Sequence, residues 1–123
     1  MRYITDRKRA LGLGAAKSGT EHHWFMIVSG VALVGLVLAF VLIFGRALGA
    51  SHDEVVATFS RPFPALVALL TIWVGMLHFR KGAQTAIEDY SRGVTQKILL
   101  IVNICISYTV MAAGLYAVLR IAI

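Results

Sequence analysis

The sequence predicts an all-α membrane protein with three transmembrane helices, its N-terminus cytoplasmic and its C-terminus periplasmic. Three observations lead there. Of 123 residues, 59% are hydrophobic and the mean hydropathy is +0.79, whereas a soluble domain is roughly half apolar. The excess is gathered into three blocks, Trp24 to Phe44, Phe63 to Phe79 and Ile98 to Ile123. The charge, +6 overall, is placed asymmetrically. Arg2, Arg7, Lys8, Arg9 and Lys17 precede the first block, and Arg80, Lys81, Arg92 and Lys97 lie between the second and third. The outer loop has only Arg46 and Arg61, and the C-terminal end only Arg120. Basic residues stay on the cytoplasmic side of a membrane, which fixes the orientation.

The chain reads as a single membrane-anchor domain, 1–123. Its first segment, 1–20, is polar, contains glycine and is expected to be irregular. The first helix is expected at about 21–45, with Thr20 as its N-cap, Glu21 in the first turn and Trp24 at the interface. Its apolar core is too long for the h-region of a signal peptide, which has roughly 7–15 residues. In the outer loop, Ser51 and Glu54 have the spacing of a capping box, and a short surface helix is expected at about 53–59. "RPFP" ends it, and Pro64 opens a second helix at about 64–90. That apolar block is shorter than the roughly 20 residues a span requires. The helix reaches that length if Arg80 and Lys81 snorkel to the interface and the helix continues past it. "SRG" makes the next turn, with Gly93 at positive φ, and a third helix is expected at about 95–119.

His78 holds the inner end of the second span, with Gly75 three residues before it and Gly82 four after, all on one face. Two readings of that face stand. An imidazole between residues without side chains leaves a flat slot suited to a haem axial ligand. Equally, the glycines allow close helix packing and His78 bonds to a neighbouring helix. Asp89 lies about three turns further on, near the same face, with Tyr90 rotated beyond it. An Asp–Tyr pair at a helix end serves as an interfacial anchor, or as a phenol donor to a lipid-borne carbonyl beside a carboxylate in contact with water. His22 and His23 enter the first span at the same side, as haem-propionate contacts or as solvated interface histidines. Asn103 and Ser107 share a face of the third helix and are expected to bond between helices; Cys105 is read as a small buried apolar residue.

Several classes are excluded or disfavoured. There is no phosphate-binding loop, dinucleotide fingerprint or cysteine cluster. No acid sits in the centre of a span, as a proton-coupled transporter requires. The basic residues flank spans and form no nucleic-acid-binding domain, so the surface partners implied are lipid and acidic protein.

"SGTEHHW" entering the first span, "SRPFPA" entering the second, and "HFRKGAQTAIEDY" after it resemble the hydrophobic membrane anchor of bacterial succinate dehydrogenase (respiratory complex II), alphaproteobacterial type. The last stretch carries the H-x3-G-x6-D-Y arrangement as His78, Gly82, Asp89 and Tyr90. The resemblance implies a location in the bacterial inner membrane. It implies that His78 is an axial ligand of haem b, shared with a sister anchor, the cytochrome b556 subunit, and that Gly82 borders the haem face. It implies that Tyr90 hydrogen-bonds ubiquinone with Asp89 beside it, and that the iron–sulfur and flavoprotein subunits dock on the complex. One departure is visible: the arginine that many relatives carry shortly after the first histidine is replaced by Ile27, Val28 or Ser29, depending on the register. The alternatives are a stand-alone b-type cytochrome carrier, which has no need of Asp89 and Tyr90, a small membrane transporter, and a structural assembly factor.

Overall fold

A computed structural model describes residues 5–12 and 19–123. Five helices follow in order: α1 (Asp6–Leu11), α2 (Gly19–Ala47), α3 (His52–Phe59), α4 (Pro62–Tyr90) and α5 (Gly93–Ala122). Helices α2, α4 and α5 are each long and apolar enough to cross a membrane. Parts of the N-terminal segment, residues 1–4 and 13–18, lie outside the described residues.

Helix α1 stands where the sequence predicted irregular chain. Thr5 caps it, its hydroxyl accepting from the Lys8 N–H at 3.2 Å, and Asp6 occupies the first turn. A cap and a favourable charge outweigh the weak apolar pattern there. Gly12, at φ +64°, ends it. Helix α2 begins at Gly19, so Thr20 lies inside the first turn and is not the N-cap.

The capping box is present. The Ser51 hydroxyl accepts from the Glu54 N–H, and the Glu54 carboxylate accepts from the Ser51 N–H at 2.8 Å. Helix α4 then opens at Pro62, two residues before the expected Pro64. Both prolines fit, because first-turn N–H groups have no partner within the helix and Pro64 forfeits nothing. At the other end of α4, Ser91 leaves the helix and Gly93, at φ +65°, begins α5 directly.

Helix α4 is the middle of the bundle. It packs antiparallel against α2 on one side and α5 on the other, while α2 and α5 do not approach through their backbones. Helix α3 closes one end. Ala47, Phe59 and Ala68 form a small buried cluster there, with Phe40, Ile43, Val55, Val118 and Ile121 packed round it. On the α5 side, the Asn103 amide donates to the Arg80 carbonyl at 3.0 Å, and Ser107 donates to Asn103 Oδ1 at 3.4 Å. Asn103 thus makes the interhelical bond expected of the pair, whereas the bond of Ser107 stays within α5. Cys105, expected to be buried, is exposed, because it lies off the strip of α5 that Asn103 and Ser107 turn toward α4.

Little apolar surface is covered within the chain. Its accessible area is 9502 Å², against roughly 6,500 Å² for a compact soluble protein of this mass. Val31, Val34, Leu38, Val41 and Leu42 on α2, and Ile101, Ile106 and Val110 on α5, all face outward. This is the pattern of helices whose outer faces meet lipid or other membrane subunits.

The packing makes the glycines unequal. A Cβ at Gly114 would stand 3.2 Å from Ile72 Cγ2 and 3.3 Å from its Cδ1, whereas one at Gly35 meets nothing. Because a β-branched neighbour yields little, Gly114→Ala is expected to destabilise the bundle by about 1–2 kcal/mol, and Gly35→Ala not to, as read by thermal unfolding in detergent. The cap of α3 is open to a separate test. The Ser51 N–H and then its hydroxyl hold the Glu54 carboxyl below its ordinary value. A depressed carboxyl stabilises α3 above the unfolded value, and that support is lost as pH falls through the folded one. Protection of the α3 amides, taken relative to their intrinsic exchange rates, is expected to fall across that acid window, and to lose this dependence in Glu54→Gln.

Candidate functional site

The polar residues of the α2–α4 seam recur at helical spacing. On α4 they are Thr71, His78 and Thr85, with Gly75 and Gly82 between; on α2 they are His22 and Ser29. The seam is narrow because the α4 glycines admit α2: a Cβ at Gly75 would meet Leu33 at 3.8 Å, and one at Gly82 would meet the Met26 methyl at 3.5 Å. The face shared by Gly75, His78 and Gly82 therefore looks toward α2, and in this chain the room beside Gly82 is bordered by Met26.

His78 is half-buried in that seam. Its Nδ1 lies 2.8 Å from Ser29 Oγ, and the ring edge at Cε1 would be 3.7 Å from a Cβ at Gly30. Nε2 has no hydrogen-bond partner among the described residues and is not sealed off from the surface. One nitrogen is thus tied to the bundle and the other left free, an arrangement suited to ligating a metal or exchanging a proton. Among the described residues, no three His, Cys, Asp or Glu side chains converge on a metal-sized site.

Two turns toward the helix end, Thr85 Oγ1 lies 3.1 Å from His22 Nε2. These two border an open cleft of about 740 Å³, lined also by Glu21, Phe25, Lys81 and Gln84. His22 is thereby held to α4, whereas His23 is exposed on another side of α2. Asp89 and Tyr90 stand outside the cleft, both exposed, with Tyr90 at 91%. Helix α4 continues without a break from His78 to Tyr90, which separates the two along the axis by about 18 Å. Arg80 turns the other way, its guanidinium 5.4 Å from the centre of the Tyr108 ring on α5.

Ser29, Thr85 and Met26 were missed from sequence. Ser29 carried a signal: a hydroxyl inside an otherwise apolar span, seven residues after His22 and so on the same face. Thr85 carried the same spacing signal, lying seven residues after His78 on its face, whereas Met26 carried none.

Residues 1–113 match the family model described as succinate dehydrogenase/fumarate reductase transmembrane subunit. The chain belongs to this family. It is also 47% identical over its whole length to the succinate dehydrogenase hydrophobic membrane anchor subunit of Paracoccus denitrificans, covering 95% of that protein. With three helices of membrane-crossing length, it is a multi-pass membrane protein and a membrane-anchor subunit of the succinate dehydrogenase/fumarate reductase type.

Proposed function

We propose that this subunit holds haem b through His78, together with a sister cytochrome b556 subunit, and anchors a ubiquinone-reducing succinate dehydrogenase to the inner membrane of a bacterium. The observation that carries the reading is the state of His78. Its Nδ1 is engaged within the bundle, and its Nε2 has no hydrogen-bond partner among the described residues. An axial ligand needs one ring nitrogen available and the other held. The residues present fit the group: His78 Nε2 would hold it from this chain, and the sister subunit would complete its site. Haem b, when bound, would supply a one-electron store. Gly82 would border the haem face in this reading, with the Met26 methyl of α2 packed beside it.

Asp89 and Tyr90 serve the quinone in this reading. Reduction to quinol takes two electrons and two protons. The electrons come from the iron–sulfur subunit, which receives them from succinate oxidation on the flavoprotein. The Tyr90 hydroxyl donates a hydrogen bond to a quinone carbonyl and fixes the headgroup. Asp89, at the water-facing end of α4, passes protons inward or holds the local geometry. Neither residue is enclosed by this chain, so the walls of the quinone pocket belong to the partner subunits.

The orientation follows from charge. Arg80, Lys81, Arg92 and Lys97 surround the end of the bundle that carries Asp89 and Tyr90, and a basic end faces the cytoplasm. The N-terminus is then cytoplasmic, the C-terminus periplasmic, and the catalytic subunits dock on the His22 side, where either His22, bonded to Thr85, or His23, exposed on another side of α2, would meet haem propionates.

Mutation of the assembled complex tests the reading. His78→Ala is expected to remove the b-type difference spectrum. Tyr90→Phe is expected to keep that spectrum and succinate oxidation by an artificial acceptor, while lowering succinate–quinone reductase activity at least tenfold. Unchanged quinone kinetics in Tyr90→Phe would favour a stand-alone b-type electron carrier, which has no use for that hydroxyl.

A further inference from the structure

The Ser29 hydroxyl has one proton and three neighbours. Its Oγ lies 2.6 Å from the Phe25 carbonyl oxygen, 3.3 Å from that of Met26 and 2.8 Å from His78 Nδ1. Carbonyl oxygens only accept. Were the proton given to His78, two lone pairs would face each other across the 2.6 Å gap to Phe25, with no proton between them. The bond to the carbonyl four residues back is an ordinary one for a helical serine. The proton therefore lies toward Phe25, and Oγ offers a lone pair to Nδ1. A neutral imidazole has one N–H, and here it must be on Nδ1. That puts the free lone pair on Nε2. Ser29 is buried at 5% exposure, so water does not compete for the arrangement.

Resting on the haem reading above, we propose that Ser29 is the positioning residue of the axial ligand. It selects the tautomer of His78 that is able to ligate, fixes the plane of the ring, and strengthens the ring as a donor by accepting from Nδ1. Ser29 itself does not touch the iron. The chain of contacts runs from the Phe25 carbonyl through the Ser29 hydroxyl to His78, so the first turns of α2 set the ligand that α4 carries. An acceptor on the far nitrogen of a metal-bound histidine raises its basicity, and its removal typically weakens metal binding by about 10–100-fold. A more basic ligand favours ferric over ferrous iron, so loss of the acceptor raises the reduction potential.

The test uses the whole complex purified in mild detergent, with wild type, Ser29→Ala, Ser29→Thr and His78→Ala compared. Haem loss to excess apomyoglobin, the haem midpoint potential and the low-spin resonance of the ferric haem are measured. The expected result is haem loss at least tenfold faster in Ser29→Ala, with a more positive potential and a shifted resonance. Ser29→Thr, which keeps the hydroxyl, is expected to match wild type. A merely structural role for Ser29 would move complex yield without moving the potential or the resonance. If Ser29→Ala matches wild type in all three while His78→Ala lacks the b-type band, the role of Ser29 is overturned and that of His78 stands. If His78→Ala keeps the band, the haem reading itself falls. Should Ser29→Ala fail to assemble, Ser29→Cys nearly keeps the volume but offers a poor acceptor, and the same three measurements decide.

Discussion

A polar side chain inside a bilayer finds no water, so it turns to a neighbouring helix or to its own, as Ser29, Thr71, Asn103 and Ser107 do here, while Arg80 Nε and His78 Nε2 find no hydrogen-bond partner among the described residues. That constraint selects α4 as the middle element. Its two seams carry much of the polar chemistry of the spans: Ser29 with His78 on the α2 side, and Asn103, Ser107 and the Arg80 carbonyl on the α5 side. The faces turned away from α4 carry valine, leucine and isoleucine. Once α4 is held from both sides, the direction of its side chains is fixed over its length. His78 can then be aimed from one stretch and Tyr90 from another, on one rigid rod.

The two ends of that rod differ. The α3 end is closed by Phe59, Ala47 and Ala68 and has a capped surface helix across it. The His78 end is open, with a cleft between α2 and α4, a free ring nitrogen, and an exposed acid and phenol. This division suits an anchor that must both hold itself in lipid and meet other subunits. Rigidity is placed at one end and unfilled contact surface at the other.

Much of the fold was legible because membrane physics writes it in composition. Apolar blocks gave the spans, Ser51 and Glu54 gave the cap of α3, and Gly93 gave the turn into α5. The misses share a cause. Helix α1 is made by one cap and a short run too small for a periodic signal, and α4 begins at Pro62 because the first and third positions of its first turn both tolerate proline. At the site, spacing established that Gly75, His78 and Gly82 share a face. It left open whether haem or a helix stood opposite, since helical phase orders residues round an axis without saying what surrounds it. Only the packed chain places α2 there, and with it Ser29 against Nδ1. Asp89 and Tyr90 were legible as a pair, and in the packed chain both stand exposed at the end of α4.

One helix carrying both redox contacts of a larger complex is the centre of this account. The most direct measurement is a reduced-minus-oxidised spectrum of the wild-type protein, affinity-purified from its native membrane in mild detergent, with identification of the chains that accompany it. A b-type band together with flavoprotein and iron–sulfur partners is the predicted result. Recovery of intact flavoprotein and iron–sulfur partners without any b-type band, or of the chain alone with no chromophore, would contradict it.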